Sequence, residues 1–175
     1  MLKSIKLIVG SKVMDFAEDT ALGEVVDWVL DPENRKISAF LVRGSGWFAK
    51  LQALPSMDVV EYGPKIIVAK KASDLETPGE IMKHPRNLKQ KGRLLGSPAF
   101  TQDGHKLGIV DDVLFETSDA SIQKVYISKS GVSVLSHSDL IITIDRVLEI
   151  LPNKIVVKDT TTSTEPVRGT AGAKA

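Results

Sequence analysis

Asp27 and Asp112 are the side chains whose type and placement come closest to a reaction centre, because they hold matching positions in two similar stretches of the chain. Each carboxylate could ligate a metal or accept a proton, and either role needs a second polar group within reach. The acids nearest in sequence are Glu24 and Asp31 for one, and Asp111 and Glu116 for the other. A duplicated Asp in a strand has a plainer use, accepting backbone hydrogen bonds at the corner of a barrel, and that use is the expected one. His84, His105 and His137 are scattered, without a metal-binding spacing such as His-x-x-x-His. Ser136-His137-Ser138-Asp139 contains the residue types of a hydrolase triad, but as neighbours. A working triad is assembled in space through a chain of hydrogen bonds. The stretches from Gly44 to Trp47 and from Gly92 to Gly96 lack the Lys-Ser/Thr of a phosphate loop and the glycine spacing of a dinucleotide fold. There is no cysteine, so thiolate metal sites, cysteine nucleophiles and disulfides are excluded. The expectation is a protein with no catalytic, cofactor-binding or metal-binding residues, and therefore not an enzyme.

Two other groups of residues suit binding. Trp47 and Phe48 lie in a glycine-flanked loop with Lys50 beside them, a composition found at contact hot spots; the competing use of a ring there is to cap its own barrel. Lys83, Arg86, Lys89, Lys91 and Arg93 follow one another with no acid between them. Such a run can meet phosphate, on RNA or on an anionic membrane surface, although most such runs are solvated linkers. No aromatic is interleaved, which argues against stacking on single strands.

The elements that position these residues come in two copies. Gly23-Glu24-Val25-Val26-Asp27-Trp28-Val29-Leu30-Asp31 recurs 85 residues later as Gly108-Ile109-Val110-Asp111-Asp112-Val113-Leu114-Phe115-Glu116. The same offset carries Ile37 onto Ile122, Phe40 onto Val125 and Val42 onto Ile127, which marks a duplicated module. Within the first copy, period-2 alternation places Val26, Trp28 and Leu30 on one face of a strand and Val25, Asp27 and Val29 on the other. Asp31 to Lys36 reads as a reverse turn with an exposed charged tip, and Ile37 to Arg43 as the returning hairpin strand. Gly63-Pro64 and Pro152-Asn153 turn into matching last strands, with a gain of four residues in the second copy. A short helix is expected from about Thr77, with Pro78 at its first position. Many short strands with turns between them predict an all-β chain of two small closed barrels with separate interiors. The divisions are 1–71 and 94–158 for the barrels, 72–93 for a basic linker and 159–175 for a disordered tail.

The stretches 22–31, 37–42 and 104–116, with the closing hairpins at Gly63-Pro64-Lys65-Ile66-Ile67-Val68 and Pro152-Asn153-Lys154-Ile155-Val156-Val157, resemble the PRC-barrel family. This barrel is named after the photosynthetic reaction centre H subunit and shared with the C-terminal domain of the ribosome maturation factor RimM. The resemblance covers about residues 5–158 and contains no catalytic signature. It implies a binding or scaffolding module that docks on protein partners or ribonucleoprotein. The chain departs from both namesakes: no membrane helix precedes the barrel, and both halves look like the PRC type.

Composition fits that reading. Of 175 residues, 42% are hydrophobic and 26% charged, and the net charge is +1, which is an ordinary globular balance. The surplus of positive charge falls in residues 70–93, with seven basic and three acidic side chains. No run of 18 apolar residues occurs, so the expected location is the cytoplasm. The leading reading is a non-enzymatic adaptor that binds a protein partner through barrel loops and edges, with a homo-oligomer through the barrels as a further arrangement. The alternative is an RNA- or ribosome-associated factor using the basic linker. A small-molecule binder or enzyme with a pocket between the barrels ranks last.

Overall fold

The computed structural model describes residues 1–45, 49–82, 94–128 and 140–158. The strands are β1 (Leu2–Ser4), β2 (Lys12–Asp15), β3 (Ala21–Asp31), β4 (Lys36–Arg43), β5 (Leu51–Pro55), β6 (Val59–Gly63), β7 (Ile66–Ala69), β8 (Pro98–Thr101), β9 (Lys106–Glu116), β10 (Ile122–Ser128), β11 (Leu140–Thr143), β12 (Val147–Leu151) and β13 (Lys154–Val157). Two short helices, α1 (Ile5–Ile8) and α2 (Pro78–Met82), complete the elements together with 3-10 turns. The fold is all-β, with one sheet per repeat. The first sheet runs β5-β4-β3-β2-β7-β6 and the second β11-β10-β9-β8-β13-β12. In each, the two outermost strands are consecutive in the chain, joined through Ser56–Asp58 or Ile144–Arg146, so the sheet curls back to one seam as a small barrel. Helix α2 begins with Pro78, as expected from a residue whose missing N–H costs nothing at a first helical position.

The repeat is visible in the register. Phe40 pairs with Leu54 and Val125 with Ile142, so the offset grows from 85 to 88 between these strands. The second copy therefore gains three residues rather than four, and the gain lies between β10 and β11. Strict alternation also misplaces one core residue. In both copies a β-bulge interrupts the ladder, between Val25 and Asp27 in β3 and between Val110 and Asp112 in β9. The extra residue shifts the phase, so Val25 is fully buried with Trp28 and Leu30, while Val26 is only half-buried.

Two features depart from a pair of independent cylinders. First, Leu2–Ser4 forms a strand but adds to the second sheet, with Leu2 opposite Glu116, Lys3 opposite Phe115 and Ser4 opposite Leu114. Second, the interiors are not separate. One continuous core takes side chains from both repeats, and at their meeting Phe115 of the second lies against Phe40 and Tyr62 of the first, with ring centroids 6.3 and 5.5 Å away. Modules of roughly 70 residues are marginal alone, and sharing apolar surface relieves that deficit. The Tyr62 hydroxyl is buried with no hydrogen-bond partner among the described residues, and this burial pushes its pKa up.

The turn that reads as an exposed tip, together with its counterpart in the second repeat, makes the rest of the junction. Ile37 N–H donates to Ala120 O at 2.9 Å, and Ile122 N–H donates to Arg35 O at 2.8 Å. Arg35 and Ala120 are 85 residues apart, as are Ile37 and Ile122, so the contact is reciprocal in the manner of a two-fold dimer. Lys36 and Ser121 face each other at its centre. Arg35 Nη1 also donates to Ile144 O at 2.9 Å.

The glycines that open each repeat answer to a close approach. At Gly23 a Cβ would stand 2.3 Å from Arg43 O, and at Gly108 it would stand 2.1 Å from Ser128 O, both with φ near +154°. Gly23→Ala and Gly108→Ala should each destabilise the protein by about 3 kcal/mol, read as a lowered urea midpoint, whereas Gly104→Ala, with open space around its Cβ position, should cost less.

Candidate interaction surface

The repeat-matched carboxylates serve the backbone. Asp27 Oδ1 accepts the Trp28 N–H at 2.9 Å, and Asp112 Oδ1 accepts the Val113 N–H at 2.8 Å. Both residues stand immediately after the bulges, where the ladder leaves an N–H without its strand partner. The copies then differ. Asp27 is exposed, whereas Asp112 also accepts the Ser4 hydroxyl at 2.5 Å and the Lys6 N–H at 3.3 Å, which tethers β1 and α1. Lys6 Nζ reaches Asp111 at 2.7 Å alongside. Among the described residues, no three His, Cys, Asp or Glu side chains converge as a metal site would require. His105 is exposed in the β8–β9 turn, where its N–H donates to Thr101 Oγ1 at 3.1 Å. His84 and the stretch 136–139 lie outside the described residues.

Of the loop candidates, Lys50 is described and exposed, and Trp47 and Phe48 lie outside the described residues. The loop sits on a firm base. Gly44 N–H donates to Lys50 O at 3.2 Å across its neck, and below it Arg43 pairs with Leu51 and Val42 with Gln52. Arg43 and Leu51 are both exposed, so a cation and an aliphatic side chain flank the neck. The same close approach that demands Gly23 holds the end of β4 against β3 beneath this loop. Lys83, Arg86, Lys89, Lys91 and Arg93 all lie outside the described residues.

The PRC-barrel domain model matches the chain twice, over residues 2–76 and 91–163. The chain belongs to the PRC-barrel family. A comparison with curated proteins finds none that matches. Apart from β1, which joins the second sheet, the two matches follow the two sheets, and the first reaches the segment that comes after β7.

That segment is a surface feature the sequence did not disclose. Leaving the first PRC barrel, the chain crosses the outer side of β5, where Glu76 and Ala53 exchange two backbone hydrogen bonds at 2.8 and 2.9 Å. Ile81 of α2 then packs on Val29, Ala39 and Ala53, with Leu41 beside them. The strap is fastened at its start by Asp15, a buried residue at the end of β2 whose carboxylate accepts the N–H groups of Ala17, Glu18 and Ala72. Elsewhere on the first PRC barrel, Phe16, Val60 and Ile66 are exposed around β2, β7 and β6. No periodicity signal marked them, because outward apolar residues read as core-facing ones wherever strand faces are not known.

Burial on its own would raise the pKa of Asp15, and the hydrogen bonds from Ala72, Ala17 and Glu18 outweigh it, leaving the carboxyl below its ordinary value of 3.8. A lowered folded-state pKa means that the carboxylate's contribution is complete above the unfolded value and is lost as pH falls through the folded one. Asp15→Asn should therefore lower the melting temperature at neutral pH, and the gap between variant and parent should close on acidification below about pH 4, as monitored by thermal denaturation across a pH series.

Proposed function

We propose that this tandem PRC-barrel protein is a cytoplasmic, non-enzymatic adaptor that holds a protein partner by surface complementarity. The observation that carries the reading is the loop 44–50, closed at its neck by Gly44 and Lys50 and mounted on the β4–β5 ladder with Arg43 and Leu51 exposed at its base. A loop whose base is fixed loses less conformational entropy when its side chains are immobilised by a partner. Its sequence offers Trp47 and Phe48, the residue types that dominate binding hot spots. The carboxylates that matched between repeats support the same reading, since each is engaged by a backbone N–H group. Joining the barrels at a reciprocal junction also supports it, because it ties the base of this loop to the second repeat through backbone hydrogen bonds.

The test is affinity capture from native-host extract, comparing the full-length protein with a Trp47→Ala/Phe48→Ala variant at low and moderate salt. A defined protein should be retained at moderate salt and lost from the variant, with the melting temperature unchanged. A variant of parental stability that keeps every captured protein contradicts the proposal. So does capture that vanishes with added salt and ribonuclease, which is the behaviour of an RNA-binding linker.

A further inference from the structure

The second barrel carries the matching outer face, and among the described residues no strap crosses it. In register with Val29, Ala39, Leu41 and Ala53 stand Leu114, Lys124, Tyr126 and Ile141. Leu114, Tyr126 and Ile141 belong to no core cluster, and Ile141 is 44% exposed where Ala53 is fully buried. Strand β11 is an end strand of its sheet. Ile141 faces Tyr126 as Ala53 faces Leu41, so by the alternation of an antiparallel ladder its N–H and C=O point away from β10. Neither has a partner among the described residues.

The chain leaves both barrels alike: Lys70 N–H donates to Asp58 O at 3.0 Å, and Lys158 N–H donates to Arg146 O at 2.8 Å. Beyond those two bonds the segments differ chemically. In the first strap Leu75 packs against the core and Ile81 on the outer face; at the corresponding positions 88 residues on, the sequence has Ser163 and Gly169, which offer no aliphatic surface to bury. Thr101 stands in the register of Asp15 and has its Oγ1 engaged by the His105 N–H. The carboxylate anchor and both apolar contacts of the first strap are thus missing from the chain's own continuation.

We propose that the open edge of β11, with Leu114, Tyr126 and Ile141 beside it, docks an extended segment of a partner protein. The segment adds as an antiparallel strand along Ile141, lays an aliphatic side chain over Tyr126 and Ile141, and presents a carboxylate to Lys124. Lys124 supplies the charge preference, because it replaces the small Ala39 with a cation that makes no ion pair among the described residues. Strand addition of this kind takes affinity from the backbone and selectivity from alternate side chains. The inference rests on the adaptor reading and assigns its second contact surface.

The probe is a synthetic peptide of residues 72–82 of this chain, the segment that covers the first barrel and carries Leu75, Glu76 and Ile81. It is titrated into the isotope-labelled full-length protein while amide shifts and hydrogen exchange are monitored. The Ile141 amide should exchange rapidly in the free protein and slow at least tenfold with peptide, with shifts centred on Leu140–Thr143 and Tyr126. Ile141→Pro removes an outward N–H on an edge strand, a place where proline is tolerated, and should weaken binding tenfold or more at unchanged stability. Lys124→Glu, which leaves the backbone intact, should weaken it as well. Peptide shifts indifferent to both substitutions overturn the proposal. An Ile141 amide already protected in the free protein also overturns it: the occupant is then the tail, or a second copy if protection grows with protein concentration. If no peptide binds while the Trp47→Ala/Phe48→Ala variant still loses its captured protein, the edge site fails and the adaptor reading stands.

Discussion

The structure depends on one reciprocal contact, in which Arg35-Lys36-Ile37 and Ala120-Ser121-Ile122 exchange backbone hydrogen bonds around a local two-fold. Arg35 and Ala120 both adopt the left-handed conformation, with φ of +54° and +57°. That conformation is costly for a side chain other than glycine and persists where surrounding contacts impose it. Here it lets each turn offer a carbonyl to the N–H of the other repeat. Phe40, Tyr62 and Phe115 close over the junction from inside. Their counterparts in the other repeat, Val125, Ile150 and Leu30, are aliphatic, so the symmetry of the backbone is broken by side chains that fill a shared interior.

Much of the architecture was legible because it comes from local pattern. Gly23 and Gly108 were conspicuous as paired glycines, and the structure gives the reason in the carbonyls of Arg43 and Ser128. The helix starting at Pro78 was readable from the chemistry of a first helical turn. What escaped depended on distant partners. Nothing in Leu2–Ser4 itself points to its distant partner β9, and only the fold assigns it to the second sheet. The tip at Arg35 and Lys36 reads as solvated because its hydrogen-bond partners are 85 residues away. The bulges at Val26 and Asp111 carry no marker of their own, so alternation put Val25 on the wrong face. The covered outer face of the first barrel was likewise invisible, since Ala39 and Ala53 look like any small strand residues until Ile81 is found above them.

Duplication and then divergence give a physical route to two unlike outer faces. The junction and the bulges are kept in both copies, and both are backbone features that tolerate changes of side chain. The outer faces have no such constraint, and they have separated into one that the chain covers itself and one where Ile141 is exposed and Lys124 and Tyr126 are half-buried. A shared core makes this separation less costly in stability, because each sheet draws part of its apolar contact from the other.

The central claim is therefore that the junction makes two barrels one cooperative unit, and equilibrium urea unfolding resolved by residue tests it most directly. Amide signals from Val25 and Phe40 in the first sheet, and from Val113 and Val125 in the second, should disappear at a single midpoint with a single slope. Separate midpoints for the two sheets in the full-length protein would contradict the account.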